Sequence, residues 1–320
     1  MHFSRRSFHG GTAGSAFAGA VSSPSLDGAP LGRGPYPGVV RRKIGSIEVT
    51  ALLDGYLEMP LELFPAADPK EAEKLVADQF QAFSPRLSPV NAFLVNLGTR
   101  LVLIDTGTAN SLGPTAGKLP AALAAAGVAP SQVDAVLVSH MHPDHISGAL
   151  DSKGEAFFPK AEMLVSEVEY AFWHDDAAFN QAPDAVKPFF IGARAAAAKY
   201  ASRLTKLPIE ADVFGAIRTV PLHGHTPGHQ GFMIQSGNES LFIWTDAIHH
   251  ASFQVARPDW SPVYDVDPQK AAQTRKRVLD RASTDRLLVA GMHLPFPAFG
   301  HVACAGDGYR FILAEWPYAH

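Results

Sequence analysis

The sequence predicts an α/β fold. Short apolar, β-branched runs recur along the chain, stretches with helix-start signals lie between them, and several runs end at a histidine or an aspartate. The sharpest case is the run over residues 133–138, which leads into Ser139-His140-Met141-His142-Pro143-Asp144-His145. Three imidazoles and a carboxylate within six residues, at the end of what reads as a buried strand, form a metal-ligand pattern. In an extended segment residues two apart point the same way, so His140 and His142 can reach one cation. Asp144 and His145, past the bend at Pro143, can reach a second. A solvated His-rich turn would account for a lone His-x-His, but not for the fourth residue or for the histidines downstream.

Residues 1–28 differ from the rest. Ser4-Arg5-Arg6-Ser7-Phe8, followed by a Gly/Ala-rich uncharged stretch to Val21, resembles a twin-arginine export signal, with Ala16-Phe17-Ala18 or Ala18-Gly19-Ala20 as cleavage sites. A disordered tail is the alternative. The signal would place the protein in the periplasm or outside the cell; unused, it would leave the protein in the cytoplasm. Its apolar part is too short to span a bilayer, and no other segment is long and apolar enough, so no stable membrane association is expected. Residues 29–38 read as a linker and 39–320 as one catalytic domain.

Residues 39–41 and 44–53 suggest an opening hairpin that ends at Asp54-Gly55. Asp68-Pro69 caps a helix to about Phe83, with Leu75, Val76, Phe80 and Phe83 on one face. Residues 90–96 and 100–104 read as strands around Leu97-Gly98-Thr99, the second ending at Asp105. An Ala-rich helix over 119–126 feeds the motif strand. A strand over 161–165 is followed by a helix from Ser166, with Glu169 completing a capping box, and by a longer Ala-rich helix over 182–204. Phe172, Trp173, Phe189 and Phe190 in these helices either line an apolar pocket or pack the helices together. Strands over 217–222, 231–235 and 241–244 come next. Asp267-Pro268 opens a helix to about Ala282, with Lys270, Arg275, Lys276 and Arg277 mostly on a solvated face, and a strand over 286–290 runs towards His293.

Composition narrows the function. A net charge of −4 with 18% charged residues and no basic stripe argues against a nucleic-acid partner. The single cysteine, Cys304, excludes an internal disulfide and a cysteine-rich zinc knuckle, and reads as a small packing residue. Ten of the 14 histidines lie in or near the motifs, which is the compositional signal of the site.

His-x-His-x-Asp-His after a strand resembles the signature of the metallo-β-lactamase superfamily, from about Val39 to Val302. The resemblance implies a four-layer αββα sandwich and three further ligands: His225 for the first metal, Asp246 as a bridge, and His293 for the second. It makes Asp105 a residue that orients ligands, with His229 in a similar supporting place. A hydroxide shared by two divalent cations would attack a carbonyl carbon or a phosphorus, with Asp246 and Asp144 as catalytic carboxylates. Neutral imidazoles with carboxylates suit Zn²⁺ best, and Mn²⁺, Fe²⁺ or Co²⁺ also fit.

The segments Val90-Asn91-Ala92-Phe93-Leu94-Val95-Asn96, Trp260-Ser261-Pro262 and Met292-His293-Leu294-Pro295-Phe296-Pro297 resemble the methyl parathion hydrolase branch, which is related to quorum-quenching lactonases. That branch implies a small apolar ester, lactone or phosphotriester as substrate, an aromatic wall of Phe93, Trp173 and Phe190, and a homodimer as one assembly state. Many acyl-homoserine lactonases carry a tyrosine three residues after the bridging aspartate; here that position is His249, which either binds substrate or stands by. The other activities weighed on this fold are a glyoxalase II-like thioesterase, a β-lactamase and a mono-iron persulfide dioxygenase. A non-catalytic protein would be marked by lost ligands, and all seven positions are filled.

Overall fold

The computed structural model describes residues 38–109 and 111–316. The export-like stretch and nearly all of the linker therefore lie outside the described residues. In chain order the elements are β1 (Val39–Ile44), β2 (Ile47–Glu58), α1 (Pro69–Ala77), β3 (Leu87–Asn96), β4 (Leu101–Ile104), α2 (Leu119–Ala125), β5 (Ala135–Leu137), α3 (Pro143–Ile146), β6 (Glu162–Ser166), α4 (Glu167–His174), α5 (Asp176–Gln181), α6 (Lys187–Lys199) and β7 (Leu204–Leu207). The second half gives β8 (Asp212–Val213), β9 (Ile217–Pro221), β10 (Gln230–Ser236), β11 (Glu239–Ile243), α7 (Pro268–Thr284), β12 (Leu288–Ala290), β13 (Phe299–Ala305) and β14 (Gly308–Leu313). Among the described residues no helix is long and apolar enough to cross a membrane.

Two seven-stranded mixed sheets result, in the orders β1-β2-β3-β4-β5-β6-β7 and β14-β13-β12-β11-β10-β9-β8. Strand periodicity shows how they stack. Ala135 and Leu137 of β5 join the core shared with Phe232, Ile234 and Ile243 of the other sheet, while Val136 and Val138 face the α2 and α6 side with Leu123, Ala193 and Ala197. A strand buried on both faces reads as an unbroken apolar run, as residues 135–138 do. Val278, Leu279 and Ala282 of α7 pack on the second sheet, completing the αββα order.

Several local expectations need correction. β2 does not stop at Asp54-Gly55 but bulges there, between Leu53 and Gly55, and continues to Glu58. Gly55 (φ 141°) passes so close to Thr115 that a Cβ would lie 2.3 Å from its carbonyl oxygen. The 68–83 helix ends at Ala77, and Phe80, in a left-handed conformation, is fully exposed instead of sharing a face with Val76. Residues 182–204 contain the shorter α6, and Leu204 already belongs to β7. Cys304 is exposed on β13, within 3.2 Å of the Ser283 hydroxyl, and is not a buried packing residue. Arg275 is not solvated but fully buried in α7. A closing hairpin, β13–β14, lies beyond the strand expected to be last.

Candidate metal centre

Each ligand segment begins where a strand runs out. β5 delivers His140 and His142, and Pro143 then starts the short α3 carrying Asp144 and His145. From the second sheet, the turn after β9 carries His225, the end of β11 carries Asp246, and the end of β12 carries His293. The seven residues form two groups, His140/His142/His225 and Asp144/His145/Asp246/His293, whose ligand atoms lie within 4.8 Å of one another. All but Asp144 are buried.

In the first group, His140 Nε2, His142 Nδ1 and His225 Nε2 form a triangle with sides of 3.0, 2.9 and 3.1 Å. The Oδ2 atom of Asp246 stands between the groups, 3.1 Å from the Nε2 atoms of both His145 and His293 and 3.7 and 3.6 Å from those of His140 and His225. Asp144 Oδ2 lies 3.4 and 3.5 Å from His145 and His293.

Hydrogen bonds on the far side of four of the rings fix which nitrogen faces inward. His225 Nδ1 donates to Asp265 (2.8 Å), His145 Nδ1 to Asp105 (2.8 Å) and His293 Nδ1 to the Pro89 carbonyl (2.8 Å). The Ser139 hydroxyl donates to Asp105 (2.6 Å), so it is left to accept from His140 Nδ1 at 3.0 Å. Four Nε2 lone pairs are thereby aimed at the cluster, the arrangement a bound cation needs. His145 Nε2 and Asp246 Oδ1 are buried without a hydrogen-bond partner among the described residues, as expected of atoms that a cation satisfies. The donor set thus fits divalent metal ions.

Electrostatics agree. Burial pushes His140 and His225 well below the usual imidazole range and takes His142 to about 4, keeping all three in the neutral form that binds metal. Burial opposes charge on Asp246, but His145, His293 and His140 outweigh it and hold the carboxyl well below its ordinary range. His145 goes the other way: burial disfavours its proton, yet Asp246, Asp144 and Asp105 raise it, and a cation at that point meets the same negative field.

The supporting residues are now placed. Asp105 bridges Ser139 and His145. His229 ligates nothing: Nδ1 donates to the Leu222 carbonyl, and Nε2 accepts from the Asp246 backbone N–H at 3.3 Å. His249, with Nε2 3.2 Å from Asp246 Oδ2, is in the cluster and also lines the cavity above it.

That cavity, of about 160 Å³, is walled by Leu57, Met59, Leu63, Leu112, Phe189 and Tyr264 over the ligands. The expected aromatic wall is therefore corrected. Phe93 points between the sheets, edge-on to Phe299, because odd positions of β3 face inward. Trp173 lies behind His142, its indole N–H held by Glu169 at 2.6 Å, and Phe190 packs behind Trp173. The rotation of α6 presents the neighbouring Phe189 instead, 6.1 Å from the His142 ring.

Glu169, Asp265, Arg275 and Tyr264 were not expected in these roles. Glu169 forms no capping box: fully buried, it accepts from Met141 N, Trp173 Nε1, Thr226 Oγ1 and Gly228 N, tying the loops of His142 and His225 together. Its position three after Ser166 imitated a cap and masked this. Arg275 had a legible signal, since it falls on the apolar stripe of Ala271, Val278, Leu279 and Ala282.

A pH effect follows from His250, whose burial takes it to about 3. The unfolded chain protonates near 6.5, so the stability from a neutral His250 is complete above that pH and drains away as pH falls towards 3. In the chelated protein, His250→Asn should lose stability less steeply than wild type, the gap reaching about 3 kcal/mol at pH 4. Parallel curves of unfolding free energy against pH would refute this.

The metallo-β-lactamase superfamily model matches residues 85–293, a span that holds all seven candidate ligands. The chain belongs to that superfamily. Other metallo-β-lactamase folds match it over most of their length. The hydrolase AbOPH of the β-lactamase superfamily is 31% identical, with TM-score 0.84, 89% of this chain and all of that one covered. AidC, a dizinc quorum-quenching lactonase solved with the product N-hexanoyl-L-homoserine, is 26% identical, with TM-score 0.83 and coverage of 88% and 99%. A probable metal-dependent hydrolase from Staphylococcus aureus, 21% identical with TM-score 0.70 and coverage of 86% and 99%, shares the fold. No curated protein sequence matches the chain.

Proposed function

We propose that this protein is a dinuclear metal-dependent hydrolase of small apolar esters, lactones or phosphotriesters. The observation that carries the reading is one buried carboxylate oxygen, Asp246 Oδ2, standing between two ligand groups at the base of an apolar cavity. Two bound divalent cations, with Zn²⁺ the best match to this donor set, would supply a nucleophile from water at neutral pH and polarise the substrate oxygen. His140, His142 and His225 would hold one ion, Asp144, His145 and His293 the other, and Asp246 both. Leu57, Leu63, Leu112 and Phe189 would take the apolar part of the substrate and exclude water.

AidC, with its bound acyl-homoserine product, supports an ester or lactone carbonyl as the reacting group. The cavity wall includes no lysine or arginine among the described residues, which disfavours an anionic thioester such as a glutathione conjugate. The test is elemental analysis paired with turnover of a nitrophenyl phosphotriester, an aryl ester and a long-chain acyl lactone. Two equivalents of metal and chelator-sensitive hydrolysis are expected. One equivalent of iron without hydrolysis would overturn the function and leave the fold standing.

A further inference from the structure

Tyr264 holds no ligand, yet its ring forms part of the wall above both groups. Among the described residues its hydroxyl has one hydrogen-bond partner, the Met59 sulfur at 3.7 Å. A thioether is a weak acceptor, and a tyrosine hydroxyl in such a setting ordinarily bonds oxygen or nitrogen. Tyr264 is also the sole hydroxyl-bearing side chain on that wall among the described residues; the others are apolar, carboxylate or imidazole.

We propose that the Tyr264 hydroxyl donates a hydrogen bond to the substrate oxygen that gains negative charge during hydrolysis, the carbonyl oxygen of an ester or lactone or the phosphoryl oxygen of a phosphotriester. The inference rests on the hydrolase reading above and names a residue that contacts the substrate. The proton stays on the phenol throughout, so Tyr264 stabilises charge and transfers nothing.

Three features hold the donor in place before substrate arrives. Its ring packs edge-on to His225 (5.9 Å, 88°) and against His249 (5.1 Å, 68°). The backbone on either side is tied down, Val263 N–H to the Leu63 carbonyl and Val266 N–H to that of His225, at 2.8 and 3.0 Å. Asp265, next in the chain, is clamped between His225 and Arg275. A donor fixed in a site shielded from water stabilises developing charge without reorganising, and removing one such donor costs about 100-fold in rate. His249 is the other donor at hand, but its Nε2 lies 3.2 Å from Asp246 Oδ2, and His225, Asp246 and His249 together form a further cluster able to hold a cation.

The experiment compares wild type with Tyr264→Phe, which keeps the ring and removes only the hydroxyl, each loaded with zinc. Metal content and melting temperature should match. Turnover number should fall about 100-fold with KM little changed, and calorimetry should show a similarly weakened affinity for a phosphonate ester that mimics the charged oxygen. Equal turnover numbers and equal phosphonate affinity in the two proteins would overturn the proposal, as would phosphonate binding by neither. Wild type that cleaves none of the three substrate classes would defeat the hydrolase reading, while phosphonate affinity would still decide for or against Tyr264.

Discussion

Asp246→Ala is expected to retain less than one equivalent of firmly bound metal and to lose activity on the order of 10⁴-fold, about 5 kcal/mol of barrier. The effect is large because one atom serves both groups: Asp246 Oδ2 lies within 3.7 Å of the Nε2 atoms of His140, His145, His225, His249 and His293. In the proposed dinuclear site, losing an outer histidine would remove one ligand from one ion, whereas losing this carboxylate would remove the ligand that the two ions share and the negative charge that offsets them. Dialysed protein measured by elemental analysis, alongside initial rates, checks it. A variant with two equivalents and a tenth of the wild-type rate would remove Asp246 from the bridging position.

The largest stability change is expected at Arg275. Its guanidinium is fully buried and donates to the carbonyls of Ala247 (2.7 Å) and Pro258 (2.6 Å) and to Asp265 (3.1 Å). Arg275→Met leaves the Asp265 carboxylate buried without its cation, a change that typically costs about 3–5 kcal/mol. Lysine is no substitute, since one ammonium cannot reach acceptors spread around a planar fork. Because Asp265 also holds His225 Nδ1, metal affinity should weaken by about 10–100-fold. Denaturant unfolding of the metal-free variant separates the two effects. A loss below about 1 kcal/mol would show that the pair contributes little to the fold.

The clustering of the candidate ligands was legible because the information is local: histidine and aspartate are costly to bury without a partner, and each stood at the end of an apolar run. The αββα order followed from the family resemblance together with strands that alternate between two apolar faces. The cavity wall was not legible, since whether Phe189 or Phe190 faces the metals depends on a rotation of α6 set by packing far along the chain. Glu169 failed for a different reason, its local pattern fitting a capping box while four distant donors claimed its carboxylate. Arg275 shows that a charge on an apolar stripe signals a buried partner, though the partner's identity, Asp265, came from tertiary structure alone.

Neither ligand group belongs to one sheet. His140, His142, Asp144 and His145 follow β5, whereas His225, Asp246 and His293 follow strands of the second sheet. A chain severed between β7 and β8 would divide the ligands four and three, leaving each fragment short in both groups. Metal uptake at this centre would therefore be a coincidence detector for assembly, registering molecules in which both halves have met.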